Sequence, residues 1–351
     1  MMKKQVSDTF SIRNTMIRNR ICVPPMVVYN WSDGSGYVDD KHVEHYRQLA
    51  RGGAGLIIQE ATCVTAEGQL AQTQLGIWED GQIAGLQRIT QAMHAEGCPI
   101  FVQIHHAGIV GIAEHALCPS AYQLGDKTGA EMSVEQIHAI QQAFIRAAQR
   151  AYQAGYDGVE LHGCHRYLMC QFLNRRVNTR TDVYGEHPEQ FVLEILEGIR
   201  KTVPEDFVVG IRLGAFEPTL EDGIRHAKIL EQHGIDFLDI SYGFTEEQET
   251  EKPAGFPYKD IVYAAGEIKK QVSVPVFAVN GIRTPEDARG ALELTQVDMI
   301  DVGRGSLANP NWTADALAGR ETDTCLDCSV CQWRIDPARC AGRLLHEKRQ
   351  K

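Results

Sequence analysis

The chain has 351 residues, 46 acidic and 35 basic side chains, a formal net charge of -11 and ten cysteines. That length fits one large domain, such as an α/β barrel of roughly 250 residues with insertions, or two to three small ones. The acidic balance counts against nucleic-acid and anionic-membrane partners, which require a positive field. There is no apolar run of about 18 residues to predict a transmembrane helix. The N-terminal MMKKQVSDTFSIRN lacks the apolar core of a secretory signal, so a cytoplasmic protein is expected.

Short apolar runs rich in Val and Ile alternate with helical patterns from Ile21 to about residue 320. The strands are expected at Ile21–Val28, Gly55–Ala61, Pro99–His105, Gly158–Leu161, Phe207–Leu213, Phe237–Ser241, Val274–Val279 and Met299–Val302. Such runs are the mark of parallel strands covered on both faces. Between them the three-to-four spacing predicts helices over Asp39–Arg51, Gln82–Glu96, Ser133–Ala154, Pro188–Thr202, Leu220–His233, Lys259–Lys270, Pro285–Thr295 and Asn311–Ala318. Ser133-Val-Glu-Gln136 is a capping box, Thr284-Pro285 an N-cap with proline at the first helical position, and Gly97, Gly155 and Gly234 sit where helices end.

Strict alternation of eight strands and eight helices predicts an α/β fold of the (β/α)8 TIM-barrel type over residues 1–320, with a short cysteine-containing tail over 321–351. A doubly wound open sheet is the rival, but it favours a glycine fingerprint after its first strand, where this chain has Pro24-Pro25-Met26. The connections Thr62–Gly81 and Ala107–Met132 are long, which marks the loop-bearing, functional face.

Catalytic residues of a barrel lie at the C-terminal ends of its strands. The densest cluster there is His162-Gly-Cys-His165-Arg-Tyr167. Two neutral imidazoles can polarise a carbonyl oxygen and a phenol can deliver a proton. The same histidines can also share a zinc ion or merely cap a helix. The turns Asn280-Gly281 and Gly303-Arg304-Gly305 follow strands seven and eight, where barrels often bind phosphate through backbone N–H groups. Arg212, near the end of an apolar strand, needs an anionic or electron-rich partner, a neighbouring Glu160 included.

These segments resemble the Old Yellow Enzyme family of NADH:flavin oxidoreductases and FMN-dependent ene-reductases. The resemblance runs from about Ile21 to Trp312 and rests on Pro25-Met26-Val-Val-Tyr29, Gln103-Ile-His-His106-Ala-Gly108, His162-Gly-Cys-His165-Arg-Tyr167, Asn178-Thr-Arg180, Val209-Gly-Ile-Arg212 and Val302-Gly303-Arg304. It implies FMN at the C-terminal face, with Pro25, Met26 and Ala61 at the isoalloxazine, Gln103 at its pyrimidine edge, Arg212 near N1 and the C2 carbonyl, and Gly281, Gly303 and Arg304 at the phosphate. It further implies NAD(P)H as reductant, His162 and His165 on the substrate carbonyl, Tyr29 orienting the substrate, and Tyr167 as proton donor to a small-molecule alkene. Three departures bear on substrate and potential. Val27 stands where a cysteine often follows the Pro-Met pair, Ile109 stands where arginine is usual, and the loop after Tyr184 is short.

Beyond the last helix comes Cys325-x2-Cys328-x2-Cys331-x8-Cys340. Four closely spaced thiolates suit a [4Fe-4S] cluster or tetrahedral zinc. Larger relatives similar to dienoyl-CoA reductases and trimethylamine dehydrogenase carry such a cluster, with longer second and last gaps. In similar bacterial enzymes a C-terminal arginine enters a partner's active site, so Arg339 or Arg343 points to a homo-oligomer. The remaining six cysteines are expected as packing residues. Two other functions compete with the ene-reductase. One is a metal-dependent barrel lyase or hydrolase built on His162 and His165. The other is a flavin-dependent tRNA uridine reductase, which the net charge of -11 disfavours.

Overall fold

Pro24 and Pro25 have no N–H to give to a ladder. The first barrel strand therefore covers only β1 (Ile21–Val23) instead of continuing to Val28. This is seen in a computed structural model that describes residues 3–244, 252–334 and 336–349. The other barrel strands are β2 (Leu56–Cys63), β3 (Ile100–His105), β4 (Gly158–Gly163), β5 (Val208–Gly214), β6 (Leu238–Ser241), β7 (Val276–Ala278) and β8 (Met299–Asp301). All pair in parallel and close in chain order, β8 bonding to β1 and β4 to β5. The fold is the expected (β/α)8 barrel.

Its outer helices are α1 (Asp40–Arg51), α2 (Ile83–Ala95), α3 (Val134–Gln153), α4 (Gln190–Arg200), α5 (Leu220–Gln232), α6 (Asp260–Lys269), α7 (Pro285–Thr295) and α8 (Trp312–Leu317). Their ends follow local chemistry. Ser133 and Gln136 form a reciprocal capping box, and Thr284 caps α7 with Pro285 at its start. Gly97, Gly155 and Gly234 take φ of +64°, +85° and +88° just past α2, α3 and α5, where a side chain would strain the turn.

Alternation sorts the barrel interior into layers. At the N-terminal end Phe101, Phe237 and Phe277 stack, with centroids 5.5 and 4.8 Å apart. A hairpin, Phe10–Ile12 with Thr15–Ile17, packs Ile12 and Ile17 onto this aromatic floor. Two residues further along the same strands the inward side chains become Gln103, Glu160, Arg212, Asp239 and Asp301, all buried. The next inward step reaches His105 and His162. Apolar packing thus holds the barrel from below, and polarity is confined to the end where the loops gather.

The long Ala107–Met132 connection holds a three-stranded sheet, Ala116–Cys118, Tyr122–Leu124 and Lys127–Glu131. Residues Ala341–Arg349 form a helix that returns to the barrel. Arg343 binds the Leu307 carbonyl at 3.0 Å and Gln48 of α1 in its own chain.

Candidate active site

The turn after β4 carries the histidine cluster in a strained conformation. His165 and Arg166 both have left-handed backbones, φ +52° and +68°. Such a pair costs energy and persists only where its surroundings hold it. Here the hold comes from the β6 exit and the turn itself: His165 N donates to Tyr242 O at 3.0 Å, Arg166 Nε to Phe244 O at 2.8 Å, and Gln171 Nε2 to Arg166 O at 2.6 Å. The next residues, Leu168–Leu173, form a buried helix that fixes Tyr167 at its start.

As a result His162, His165, His105 and Tyr167 face one another. The His162 ring lies on Tyr167 with centroids 4.1 Å apart, 5.3 Å from His165, and His105 lies 5.1 Å from Tyr167. His165 Nε2 is 2.7 Å from Ser241 Oγ, which orients that imidazole. Burial holds His105 and His165 at about 3, and holds His162 well below the ordinary imidazole range with help from His165. All three are therefore neutral near pH 7. Burial pushes the Tyr167 phenol upward, so it keeps its proton. Both nitrogens of His105 and Nδ1 of His162 are buried without a hydrogen-bond partner among the described residues. Such atoms normally await a ligand or water.

His165 also borders the adjoining cavity of about 290 Å³, together with Pro24–Met26, Arg212, Asn280–Arg283 and Gly303–Gly305. Seven of the residues assigned from the sequence are thus gathered around one hollow: Pro25, Met26, His165, Arg212, Gly281, Gly303 and Arg304. A Cβ on Gly303 would come within 3.2 Å of Met26 Sδ, and Gly281 has φ +79°. Both places need bare backbone, which lets N–H groups approach an anion.

The other assigned residues sit deeper or at the rim. Ala61 is buried on β2, its carbonyl taken by Gln74 Nε2 at 2.8 Å. Gln103 lies inside the barrel and donates to Glu160 Oε1 at 2.7 Å. Arg212 does not pair with Glu160. Its Nε lies 3.2 Å from Asp239 Oδ2, because strand register sets Arg212 beside Asp239. Tyr29 is half-buried. Burial raises its phenol, and nearby Arg334 opposes this.

The four tail cysteines are not brought together. Cys328 and Cys331 are exposed, Cys325 borders the cavity, and Cys340 packs near Trp333. Among the described residues the one group of three candidate ligands within 4.8 Å is His162, Cys164 and His165. The four cysteines at 325–340, expected as ligands of a [4Fe-4S] cluster or zinc, belong to no such group in this arrangement. The His–Cys–His trio is occupied with itself and Ser241, and its thiol is kept protonated by burial.

Four features were absent from the sequence reading. Asp327 of the tail binds Arg283 at 2.6 Å and also Arg304, clasping both cations at the cavity mouth. Glu60, raised to about 8 by burial, accepts from Val28 N at 2.8 Å and pins the loop bearing Pro25 and Met26. Trp333 packs on Val28 and Trp31, and Asp239 and Asp301 line the interior. The first three depend on distant chain meeting the site and carry no local signal. Acidic residues in strands β6 and β8 were visible, and strand alternation would have turned them inward.

Known proteins resemble this chain in sequence and fold. The model of the "NADH:flavin oxidoreductase / NADH oxidase family" matches residues 8–323. A curated "NADH oxidase" of Thermoanaerobacter brockii is 39% identical over 339 residues, covering 91% of this chain and 52% of its own length. The chain thus spans about half of that relative. Among solved structures, a 2-naphthoyl-CoA reductase in complex with 2-naphthoyl-CoA superposes with TM-score 0.86 at 28% identity, covering 94% of this chain and 55% of that one. The Old Yellow Enzyme homologue of Zymomonas mobilis gives TM-score 0.79 at 25% identity, covering 95% of this chain and 99% of that one. Family model, relative and fold agree, and the chain belongs to the NADH:flavin oxidoreductase family of Old Yellow Enzyme homologues.

Proposed function

We propose that this protein is an FMN-dependent oxidoreductase that takes hydride from NAD(P)H and reduces the activated C=C bond of an α,β-unsaturated carbonyl compound. The observation that carries the reading is the neutral His162–His165–Tyr167 group beside a cavity lined by Arg212, Gly281, Gly303 and Arg304. The residues present fit FMN. Arg212 Nε is buried without a hydrogen-bond partner among the described residues, Gly281 and Gly303 offer open backbone, and Arg283 and Arg304 supply positive charge. When bound, FMN would supply reversible storage of a hydride equivalent.

Each side chain then has a task. Pro25, Met26 and Ala61 would bound the ring, Gln103 and Arg212 its polar edge, and Gly281, Gly303 and Arg304 the phosphate. His162 and His165 donate hydrogen bonds to the carbonyl oxygen of the substrate, which withdraws charge from the double bond. Tyr167 gives its phenolic proton to the α-carbon, and Tyr29 closes the substrate side. Residues 1–320 form the catalytic barrel and 321–351 a tail that covers part of its mouth. The 2-naphthoyl-CoA ligand of one neighbour makes conjugated thioesters one class to test beside enones and nitroalkenes.

The test is spectral. Purified protein should show a flavin spectrum that bleaches with NADH or NADPH under anaerobic conditions and returns on adding the accepted alkene. Colourless protein that takes up no FMN and contains stoichiometric zinc defeats the proposal and favours a metal-dependent lyase or hydrolase.

A further inference from the structure

One layer below the histidines, four ionisable side chains point into the barrel: Glu160 from β4, Arg212 from β5, Asp239 from β6 and Asp301 from β8, none more than 5% exposed. Register places Arg212 beside Asp239 and Asp301 beside Cys22. The aromatic floor of Phe101, Phe237 and Phe277 closes the layer from beneath. Asp301 and Arg212 also border the cavity. Glu160 Oε1 accepts from Gln103 Nε2 at 2.7 Å, and Arg212 Nε approaches Asp239 Oδ2 at 3.2 Å. No hydrogen-bond donor among the described residues satisfies Glu160 Oε2 or either oxygen of Asp239 and Asp301.

Three carboxylates around one guanidinium would leave two uncompensated negative charges away from water. A buried, unpaired charge of this kind neutralises itself by taking a proton. Protons also answer the unmet oxygens, because a protonated carboxyl is a donor to its neighbour. Among the described residues the surroundings bring no second cation. From β1 the Cys22 thiol faces Asp301, and beside Arg212 stand the Cys164 thiol and the neutral His162 and His165. Burial and then the Asp239 charge raise Glu160 and Asp301 well above the carboxylate range, with Arg212 opposing. Two protons on the layer would leave one carboxylate to answer Arg212.

We propose that Glu160, Asp239 and Asp301 form a proton store behind Arg212, which takes up one solvent proton when hydride reaches the cofactor side of that guanidinium and releases it when hydride leaves. This rests on the FMN reading. A hydride carries two electrons and one proton, so its arrival adds one negative charge next to Arg212. One guanidinium then faces two anions, and a proton on the last carboxylate restores the balance. Passage of the hydride to the alkene removes that charge, and the stored proton returns to solvent. The three acids hold charge and position Arg212 without touching substrate.

The test is potentiometry of the FMN-loaded protein across pH 6–8.5. Each proton taken up with two electrons shifts the midpoint by about 30 mV per pH unit, the equivalent of a tenfold change for a two-electron couple. Wild type should fall by about 60 mV per pH unit, and Glu160→Gln combined with Asp239→Asn and Asp301→Asn, which leaves no carboxylate to take the proton, by about 30. A wild-type slope of about 30 throughout overturns the proposal. So does a slope of about 60 that survives the triple substitution, which would put the second proton on the ring. If the variant does not fold, the reduced-minus-oxidised infrared spectrum of wild type decides. A new protonated-carboxyl band that shifts in D2O is expected, and its absence overturns the store. Protein that binds no FMN is a separate result, read from its spectrum, and overturns the function on which the store rests.

Discussion

The imidazole of His162 lies face to face with the phenol of Tyr167, 4.1 Å between centroids and 17° between planes. In the proposed function this stack holds the proton donor, Tyr167, against the carbonyl-binding His162. Tyr167→Phe keeps the ring and removes only the proton. Rapid-mixing measurement should show alkene reduction slowed by about 10²–10⁴-fold with flavin reduction by NAD(P)H unchanged, the range expected for loss of a general acid. Equal rates for variant and wild type in both half-reactions contradict the role.

The imidazoles are neutral because they are buried, so acidity should affect them late. His105 and His165 stand at about 3, and His162 lies well below the ordinary value. The rate of alkene reduction is expected to show no inflection between pH 5.5 and 7.5. A clear acid limb near the ordinary imidazole value of about 6.5 would show that at least one of them titrates in solvent.

Trp333 joins the tail to the loop after β1. It packs on Val28, Leu307 and Trp31, with His45 at 5.3 Å, and it places Arg334 near Tyr29. Trp333→Ala should cost about 3 kcal/mol by the rule for large buried side chains. Because the ring is anchored on the substrate side, KM for the alkene should rise several-fold while FMN content stays near wild type. Thermal melting and steady-state kinetics check both parts.

Glu217 is buried, accepts from Cys170 Sγ at 2.8 Å and Asn174 Nδ2 at 2.7 Å, and is raised to about 8 by burial. The folded protein binds this proton more tightly than the unfolded chain. The stabilisation is therefore complete below the unfolded value of about 4.5 and is lost as pH rises through about 8. Glu217→Gln cannot titrate. Wild type should lose melting temperature relative to this variant between pH 5 and 8.5, and parallel curves would show that Glu217 is ionised throughout.

Much of this architecture was legible locally. Eight apolar runs and their helices marked the barrel, since strand and helix periods are written into neighbouring residues. The placement of His162, His165, Tyr167, Arg212, Gly281 and Gly303 at one end of the barrel was legible because each follows or closes an apolar strand. The exact extent of β1 was also in the sequence, in two prolines that cannot donate to a ladder.

What the tertiary structure decided depends on contacts between distant residues. Composition and charge disfavoured nucleic acid, and cysteine spacing raised a cluster, but only the folded chain shows Cys328 and Cys331 exposed and apart from any three-ligand group. Asp327 meets Arg283 and Arg304 because the tail turns back over the barrel. Arg212 pairs with Asp239 and not Glu160 because parallel register chooses between two neighbours. Sequence determines which residues face inward through period and propensity, which are properties of adjacent positions. Which charge answers which is set by register and closure, where desolvation makes every unmatched group count.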